Sequence, residues 1–333
     1  MARALNRALV VLDGLRLGGA ERQAIVLARG LSEACGVDAR IVGFQGPGTA
    51  AALCEKHGVP WSVLPFVWER KKNQRIRQLL GLAMEMRSYS PQLVLPYTMK
   101  PNVACGLVWR LTGARLCMWN QRDEGRQRLP PRWERLAVKL TPWFASNSQH
   151  GAEFVIGLGA PPDRMRVIHN GVLPEPPRSD RAEWRSRLDL EETAFVATMV
   201  ANLHGYKDHA TLLNAWRVVV DHLQTGSTPT LLLAGTPENT ALALKAQAHD
   251  LDLGRSVRFL GAVEDVSGLL AASDCCVFSS QYEGVPNGVL EGMAAGLAVV
   301  ATDIPGVREA VGDSGCAILT PPGDAERMAE AIL

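Results

Sequence analysis

Short apolar runs rich in β-branched residues alternate with segments of helical periodicity from one end of the chain to the other. In the first half the predicted strands are ALVVL (8–12), ARIVGF (39–44), WSVLPF (61–66), QLVLPY (92–97), ARLCMW (114–119), WFASN (143–147) and RVIHN (166–170). The segment after the first strand, AERQAIVLARGLSEA, puts Ala20, Ala24, Ile25, Ala28 and Leu31 on one helical face. Strands that are apolar throughout and separated by helices belong to a parallel sheet covered on both sides.

The pattern breaks at LPEPPRSD (173–180), where three prolines read as an extended linker. It then restarts with FVATMVA (195–201), TLLLAG (230–235), SVRFLG (256–261), DCCVFSS (274–280), LAVVATD (297–303) and CAILT (316–320). In the clearest intervening helix, DHATLLNAWRVVVDHL, the residues Leu212, Trp216, Val219 and Leu223 line up. The expected architecture is α/β: two doubly wound, Rossmann-like parallel-sheet domains, 1–172 and 181–333, joined by the linker 173–180. Ligands in such sheets sit outside the carboxyl ends of the strands, here in a cleft that the two domains face. The chain stops at AERMAEAIL, inside a helical pattern without a C-cap signal, so the second domain is expected to be truncated.

A length of 333 residues supports two cores, and 47% apolar with 21% charged residues excludes a disordered or fibrous chain. The longest apolar runs fall far short of the ~20 residues a membrane span needs. Asp13 ends the first apolar run too early for a signal-peptide core, so that run is read as a strand. Seven scattered cysteines without a C-x-x-C pair suggest neither disulfides nor zinc, and a reducing cytoplasm fits. Net charge is +1, but residues 1–175 carry +11 and residues 176–333 carry −10. A basic first half suits an anionic membrane surface, a phosphorylated acceptor or nucleic acid; equally, opposite charges help the halves dock.

Three loops could hold a phosphate-bearing ligand. Gly18 and Gly19 let the backbone approach an anion at the start of a helix, although a Gly-Gly turn is equally a plain strand-to-helix connection. Lys207 stands at the mouth of a helix whose start is marked by Asp208. At an effective dielectric of 20 its ammonium is worth ~4 kcal/mol to a phosphate charge 4 Å away before desolvation, but a lysine there is also commonly a solvated surface residue. In SSQYEGVPNGVLEGMAAG, Pro286 keeps Glu283 and Glu291 off a common helix. Glu283 belongs to a loop, and Asn287 and Gly288 start a helix containing Glu291, which Gly296 stops. Backbone N–H groups around Asn287, Gly288 and Val289 would make an anion cradle flanked by two acceptor carboxylates, matching a nucleotide sugar. Read singly, Glu291 is a helix-start carboxylate and Glu283 a solvated loop residue.

The E-x7-E spacing of Glu283 and Glu291, VIHNGV (167–172), GGAER (18–22), the strand-loop-lysine of 199–207 and FLGAVEDVSGLLAASDCCVFSS (259–280) together resemble the retaining GT-B glycosyltransferases of family 4. The likeness covers nearly the whole chain and is most specific from Val200 to Gly323. It implies that the second domain binds a UDP-sugar or GDP-sugar and the first binds a glycan or lipid-linked acceptor, with no metal and no cofactor. It further implies that Glu283 binds the transferred sugar, Glu291 the ribose, and Lys207 the departing diphosphate, helped by Gly19 and residues 287–289. The base would lie against the loop after Phe259 and Leu260. Retention implies a covalent intermediate or attack on the leaving-group face, and the resemblance favours the second.

Two departures stand out. Asn202 occupies a place where many relatives have arginine, leaving Arg16 or Arg122 as substitutes on the diphosphate. Relatives often have a histidine where this chain reads WNQRDEGR, with Asn120, Arg122, Asp123 and Glu124; Asp123 is the candidate for orienting the acceptor hydroxyl.

WERKKNQRIRQLLGLAMEM (68–86) carries cations at 70, 71, 72, 75 and 77, then Ile76, Leu79, Leu80, Ala83 and Met86 in an amphipathic pattern. It reads as a segment resting on an anionic membrane, which would place a cytoplasmic protein peripherally on the inner face. It reads equally as a solvated loop before a core-facing helix. The predicted activity is hexosyl transfer in polysaccharide or glycolipid synthesis, with a catalytically impaired nucleotide-sugar-binding protein as the alternative. A nicotinamide-dependent oxidoreductase is disfavoured because no Gly-rich dinucleotide fingerprint follows either first strand. No nucleic-acid partner is expected.

Overall fold

The computed structural model describes residues 5–123, 125, 128–173, 175–223, 226–313 and 315–333; Glu124 and Pro174 therefore lie outside the described residues. The chain divides into two compact units, Met1–Asn170 and Gly171–Leu333.

In the first unit the strands are β1 (Arg7–Leu12), β2 (Asp38–Gly43), β3 (Trp61–Val63), β4 (Leu93–Pro96), β5 (Leu116–Gln121), β6 (Trp143–Ser146) and β7 (Met165–Val167). Its helices are α1 (Gly19–Cys35), α2 (Thr49–Lys56), α3 (Lys72–Ser88), α4 (Met99–Val108), α5 (Pro131–Leu140) and α6 (Gln149–Gly157). The strands form one parallel sheet in the order β3-β2-β1-β4-β5-β6-β7. β3 is shorter than the apolar run predicts. Pro65 lacks an N–H, so only Leu64 and Phe66 continue to donate to the backbone at Gly43 and Phe44.

The second unit contains β8 (Val196–Val200), β9 (Thr230–Ala234), β10 (Val257–Gly261), β11 (Cys275–Phe278), β12 (Ala298–Thr302) and β13 (Ala317–Thr320). Between them run α7 (Arg181–Arg187), α8 (His209–His222), α9 (Ala241–Asp250), α10 (Val266–Ala271), α11 (Asn287–Ala294) and α12 (Pro305–Val311), and α13 (Ala325–Ile332) follows. Sheet order is β10-β9-β8-β11-β12-β13, again parallel. In each unit the chain winds outward from the first strand and then reverses, so each sheet has a topological switch point, β1/β4 and β8/β11. The carboxyl ends of those strand pairs are where such sheets bind ligands.

Apolar burial fixes both units. Ala24, Ile25 and Ala28 of α1 and Leu212, Trp216 and Val219 of α8 are fully buried against their sheets, the larger of these contributing about 1.5–3 kcal/mol each.

α3 departs from the amphipathic pattern read in the sequence. Leu79, Leu82, Ala83 and Met86 face the core, whereas Ile76, Leu80 and Met84 face solvent at 40%, 48% and 69% exposure. Arg75 is not a surface cation: it is buried, donates to the carbonyls of Glu69 and Arg70, and lies over the Trp68 and Trp133 rings. The membrane expectation for residues 70–77 therefore loses one of its five cations, because Arg75 is held inside by two backbone carbonyls and two aromatic faces. Arg70, Lys71, Lys72 and Arg77 remain exposed. Among the described residues no helix is long and apolar enough to cross a membrane.

Candidate active site

At the β8/β11 switch point, two loops from opposite sides of the chain reversal are tied to each other. The 3-10 turn Gly205–Lys207 follows β8, and Asp208, in the left-handed region (φ 50°), caps α8 by accepting from Thr211 N and Thr211 Oγ1. The loop after β11 grips that turn through Gln281 N donating to Tyr206 O, Ser279 Oγ to Lys207 O and Gln281 Nε2 to Asp208 Oδ2. Within this frame Lys207 Nζ donates to Glu283 Oε1 at 2.5 Å, and Ser280 Oγ donates to the same oxygen at 2.8 Å. The ammonium also sits 5.0 Å from the centroid of Phe278 and 5.1 Å from that of Tyr206. Both of these hydrogen bonds fall on Oε1 of Glu283.

α11 begins beside this pair. Gly288 allows its first turn to press against the end of β8, since a Cβ there would lie 2.5 Å from the Val200 carbonyl oxygen. The N–H groups of Asn287, Gly288 and Val289 are thereby held next to the strand after which Lys207 follows, and Pro286 at the N-cap removes a competing donor. Glu291, half-buried on the next turn of α11, is close enough to Cys276 to raise that thiol further beyond the effect of its burial. The structure thus places Lys207, Glu283, Asn287, Gly288, Val289 and Glu291 on the switch-point loops and helix of one unit.

Other predicted residues are engaged differently. Asn202 accepts from Thr236 N and donates to Glu238 Oε1, so its amide fastens the loop after β8 to that after β9. Leu260 points into a small apolar cluster with Val196, Leu232 and Leu269, and with Ala262, Val263 and Trp184 it borders a cavity of about 580 Å³. Asp123 is buried, and its Oδ1 accepts from Gln121 Nε2 and Gly125 N. Its carboxylate holds its own turn, because a buried carboxylate needs donors and the nearest lie within that turn.

The first unit repeats the switch-point device with signs reversed. Asp13 after β1 pairs with Lys100 on α4 at 2.6 Å. Gly18 is the N-cap of α1, and the Glu21 carboxylate folds back over it, 2.7 Å from where a Cβ would stand. Burial pushes the Glu21 carboxyl up to about 7, with Asp13 adding to the rise, against hydrogen bonds to the backbone of Glu21 and Gly18. Glu21, Ser279, Ser280 and Gln281 were not singled out by the sequence. The GGAE and SSQ strings were their only signal, and nothing in either string tells which loop the side chain meets. Among the described residues no group of three or more His, Cys, Asp or Glu side chains could hold a metal ion.

Superposed on the crystal structure of Anabaena HepE in complex with UDP and glucose, the chain gives a TM-score of 0.81 at 23% identity, covering 98% of this chain and 88% of that one. The fold is GT-B, two Rossmann-like parallel-sheet units.

The family profile described as Glycosyltransferase Family 4 matches residues 17–175, and that described as Glycosyl transferases group 1 matches residues 194–333. The two matches span nearly the whole chain in order, and the chain belongs to the group 1, family 4 glycosyltransferases. A Bacillus subtilis (strain 168) protein named as the glycosyltransferase EpsD is 31% identical over 185 residues, 53% of this chain and 46% of its own. The Escherichia coli UDP-Gal:alpha-D-GlcNAc-diphosphoundecaprenol alpha-1,3-galactosyltransferase is 27% identical over 148 residues, 44% of this chain and 38% of its own. The matched stretch is thus less than half the length of either relative.

Proposed function

We propose that the protein transfers a hexose from a UDP-sugar or GDP-sugar to an acceptor hydroxyl, with retention of configuration and without a metal, in the synthesis of a polysaccharide or glycolipid. The observation that carries this reading is the Lys207–Glu283 pair at the β8/β11 switch point, with the first turn of α11 beside it. The ammonium has protons left for a diphosphate, and the α11 N–H groups add partial positive charge at the same place. As the sugar–phosphate bond breaks, these groups stabilise the charge that develops on the leaving diphosphate. Glu283 Oε2 takes a hydroxyl of the transferred sugar, Glu291 takes the ribose, and an oxygen of the departing diphosphate draws the acceptor proton on the same face.

The donor class is supported by the UDP and glucose in the HepE complex. The acceptor class, glycan or lipid-linked, is supported by the lipid-linked diphosphate in the name of the E. coli relative. A lipid-linked acceptor accords with a peripheral position on the inner face of a membrane. There Ile76, Leu80 and Met84 would enter the interface and Arg70, Lys71, Lys72 and Arg77 would meet anionic headgroups, each cation worth about 1 kcal/mol.

A thermal-shift screen of UDP- and GDP-sugars tests the reading. A donor at 100 times its dissociation constant should stabilise the fold by ~2.7 kcal/mol. No shift with any of them, together with no transfer to lipid-linked acceptors, would remove it.

A further inference from the structure

α3 carries a glycine that the fold does not explain. Gly81 lies in the interior of the 17-residue helix Lys72–Ser88, far from either cap, where glycine is the least favourable residue after proline. Its φ is not in the left-handed region, and a Cβ added there would meet no described atom within 4 Å. Neither backbone conformation nor close packing within the unit therefore selects glycine over alanine or leucine. The space such a side chain would enter is a groove of about 240 Å³ between α3 and the residues that follow β3. The buried Leu64 and Leu82 line it together with the exposed Pro65, and Arg77 and Glu85 stand one helical turn to either side of Gly81.

Two features of the same helix indicate what the groove faces. Ile76, Leu80 and Met84 recur every four residues and are exposed, so an apolar stripe runs along α3 beside the line of Arg77, Gly81 and Glu85. Arg70, Lys71 and Lys72 are exposed at the amino end of α3, whose first turn contains no acid. Positive side chains are disfavoured at that end of a helix dipole, so these three suit an anion brought from outside. A groove with buried leucines, an apolar stripe next to it and a cationic helix start together match an amphiphile with a negative head and a hydrocarbon chain.

We infer that the Gly81 groove receives the hydrocarbon chain of a lipid-linked acceptor. The identity of that lipid rests on the transferase reading; the groove itself rests on Gly81 and its neighbours. Its volume is below the ~300 Å³ at which sites for whole small molecules begin, so it holds a stretch of one chain while the remainder stays in the bilayer. Removal of that stretch from water supplies the affinity. Glycine keeps the room: a leucine at this position would occupy it.

Calorimetric titration of the full chain with farnesyl phosphate and with inorganic phosphate isolates what the hydrocarbon adds, and Gly81→Ala and Gly81→Leu close the groove in two steps. The native protein should bind farnesyl phosphate about 10-fold or more tightly than inorganic phosphate; Gly81→Leu should abolish that difference and Gly81→Ala should reduce it. Both variants should melt at a higher temperature than the native protein, because each favours the helix and meets open space. A glycine required by the fold would lower the melting temperature instead. Equal farnesyl phosphate affinity in the native and Gly81→Leu proteins overturns the proposal, as does farnesyl phosphate binding no tighter than inorganic phosphate; if Gly81→Leu does not fold, equal affinity in Gly81→Ala does so.

Vesicles of phosphatidylglycerol and phosphatidylcholine separate the acceptor's chain from an ordinary membrane lipid. Gly81→Leu leaves the apolar stripe and the cations intact, so it should sediment with these vesicles as the native protein does. A loss of vesicle binding equal to the loss of farnesyl phosphate binding would give the groove to a bulk acyl chain and overturn the acceptor assignment. Failure of UDP and every nucleotide sugar to bind would strike the transferase reading and leave the farnesyl phosphate result to decide on the groove.

Discussion

Lys207 Nζ stands 2.5 Å from Glu283 Oε1, joining the loops that leave β8 and β11 on the two sides of the second sheet's switch point. The contact makes one unit of two residues 76 positions apart. It holds the ammonium over the Phe278 ring, which the first turn of α11 also approaches at Gly288.

Lys207→Ala should remove ~3–4 kcal/mol of transition-state stabilisation, a loss of hundreds-fold in the rate of sugar transfer. It also leaves a largely buried carboxylate unpaired, so Lys207→Ala/Glu283→Ala should be less damaged in stability than the sum of the single variants. Denaturant titration of the four-member cycle measures this coupling, expected at about 1–3 kcal/mol. Full transfer activity in Lys207→Ala would refute the assigned role.

Glu283→Ala should lower turnover more than nucleotide affinity, and Glu291→Ala should do the reverse. Steady-state kinetics beside UDP titrations separate the two. Parallel losses in both variants would show that the carboxylates do not divide between sugar and ribose.

Gly288→Ala should cost about 1–3 kcal/mol in stability and displace the first turn of α11, because the added methyl meets the Val200 carbonyl oxygen at 2.5 Å. Nucleotide affinity should fall with it. Unchanged melting temperature and unchanged UDP binding would mean that α11 does not press on β8 as described.

Two groups give stability opposing pH dependences. Burial holds the Glu21 carboxyl at about 7 against an ordinary 4.5, so the fold prefers its neutral form; that contribution is full below pH 4.5 and lost as pH rises through 7. Burial, with Lys207 nearby, depresses the His209 imidazole from 6.5 to about 4, so its contribution is full above pH 6.5 and lost as pH falls toward 4. Glu21→Gln should therefore be more stable than wild type by about 1–3 kcal/mol at pH 8 and should converge with it near pH 4.5. Equal gaps at both pH values in urea melts would contradict the Glu21 assignment.

Liposomes containing anionic lipid should sediment the protein at low salt and release it at high salt. Charge reversal at Lys71, Lys72 and Arg77 should abolish binding, while Met84→Glu should weaken it without removing the salt dependence. Absence of binding at low salt would end the membrane proposal.

All thirteen strands were legible because runs of five to seven residues, most of them largely apolar, recur between helical periods, the pattern of a parallel sheet. The placement of Glu283 in a loop and of Asn287, Gly288 and Glu291 on a helix was legible as well, since Pro286 fixes where one element ends and the next begins. Local pattern misled where a polar side chain had a nonlocal partner. Arg75 looked like one cation in a basic run, yet it lies between two tryptophans, one of them 58 residues away. Asp123 reads in the sequence as a polar loop residue, and nothing local tells that its Oδ1 accepts from Gln121 Nε2 and Gly125 N.

From sequence alone came the element order and the residue types in the loops between elements, because periodicity and proline act over a few residues; the strand order that makes a switch point did not. Tertiary structure decided which of those side chains meet: Lys207 with Glu283, Asp13 with Lys100, and Arg122 with the Tyr97 ring and the Asn170 amide. Such pairings join strand ends that are distant along the chain and adjacent in the sheet. Hydrogen bonds and charges act through that spatial adjacency, which no short window of sequence contains.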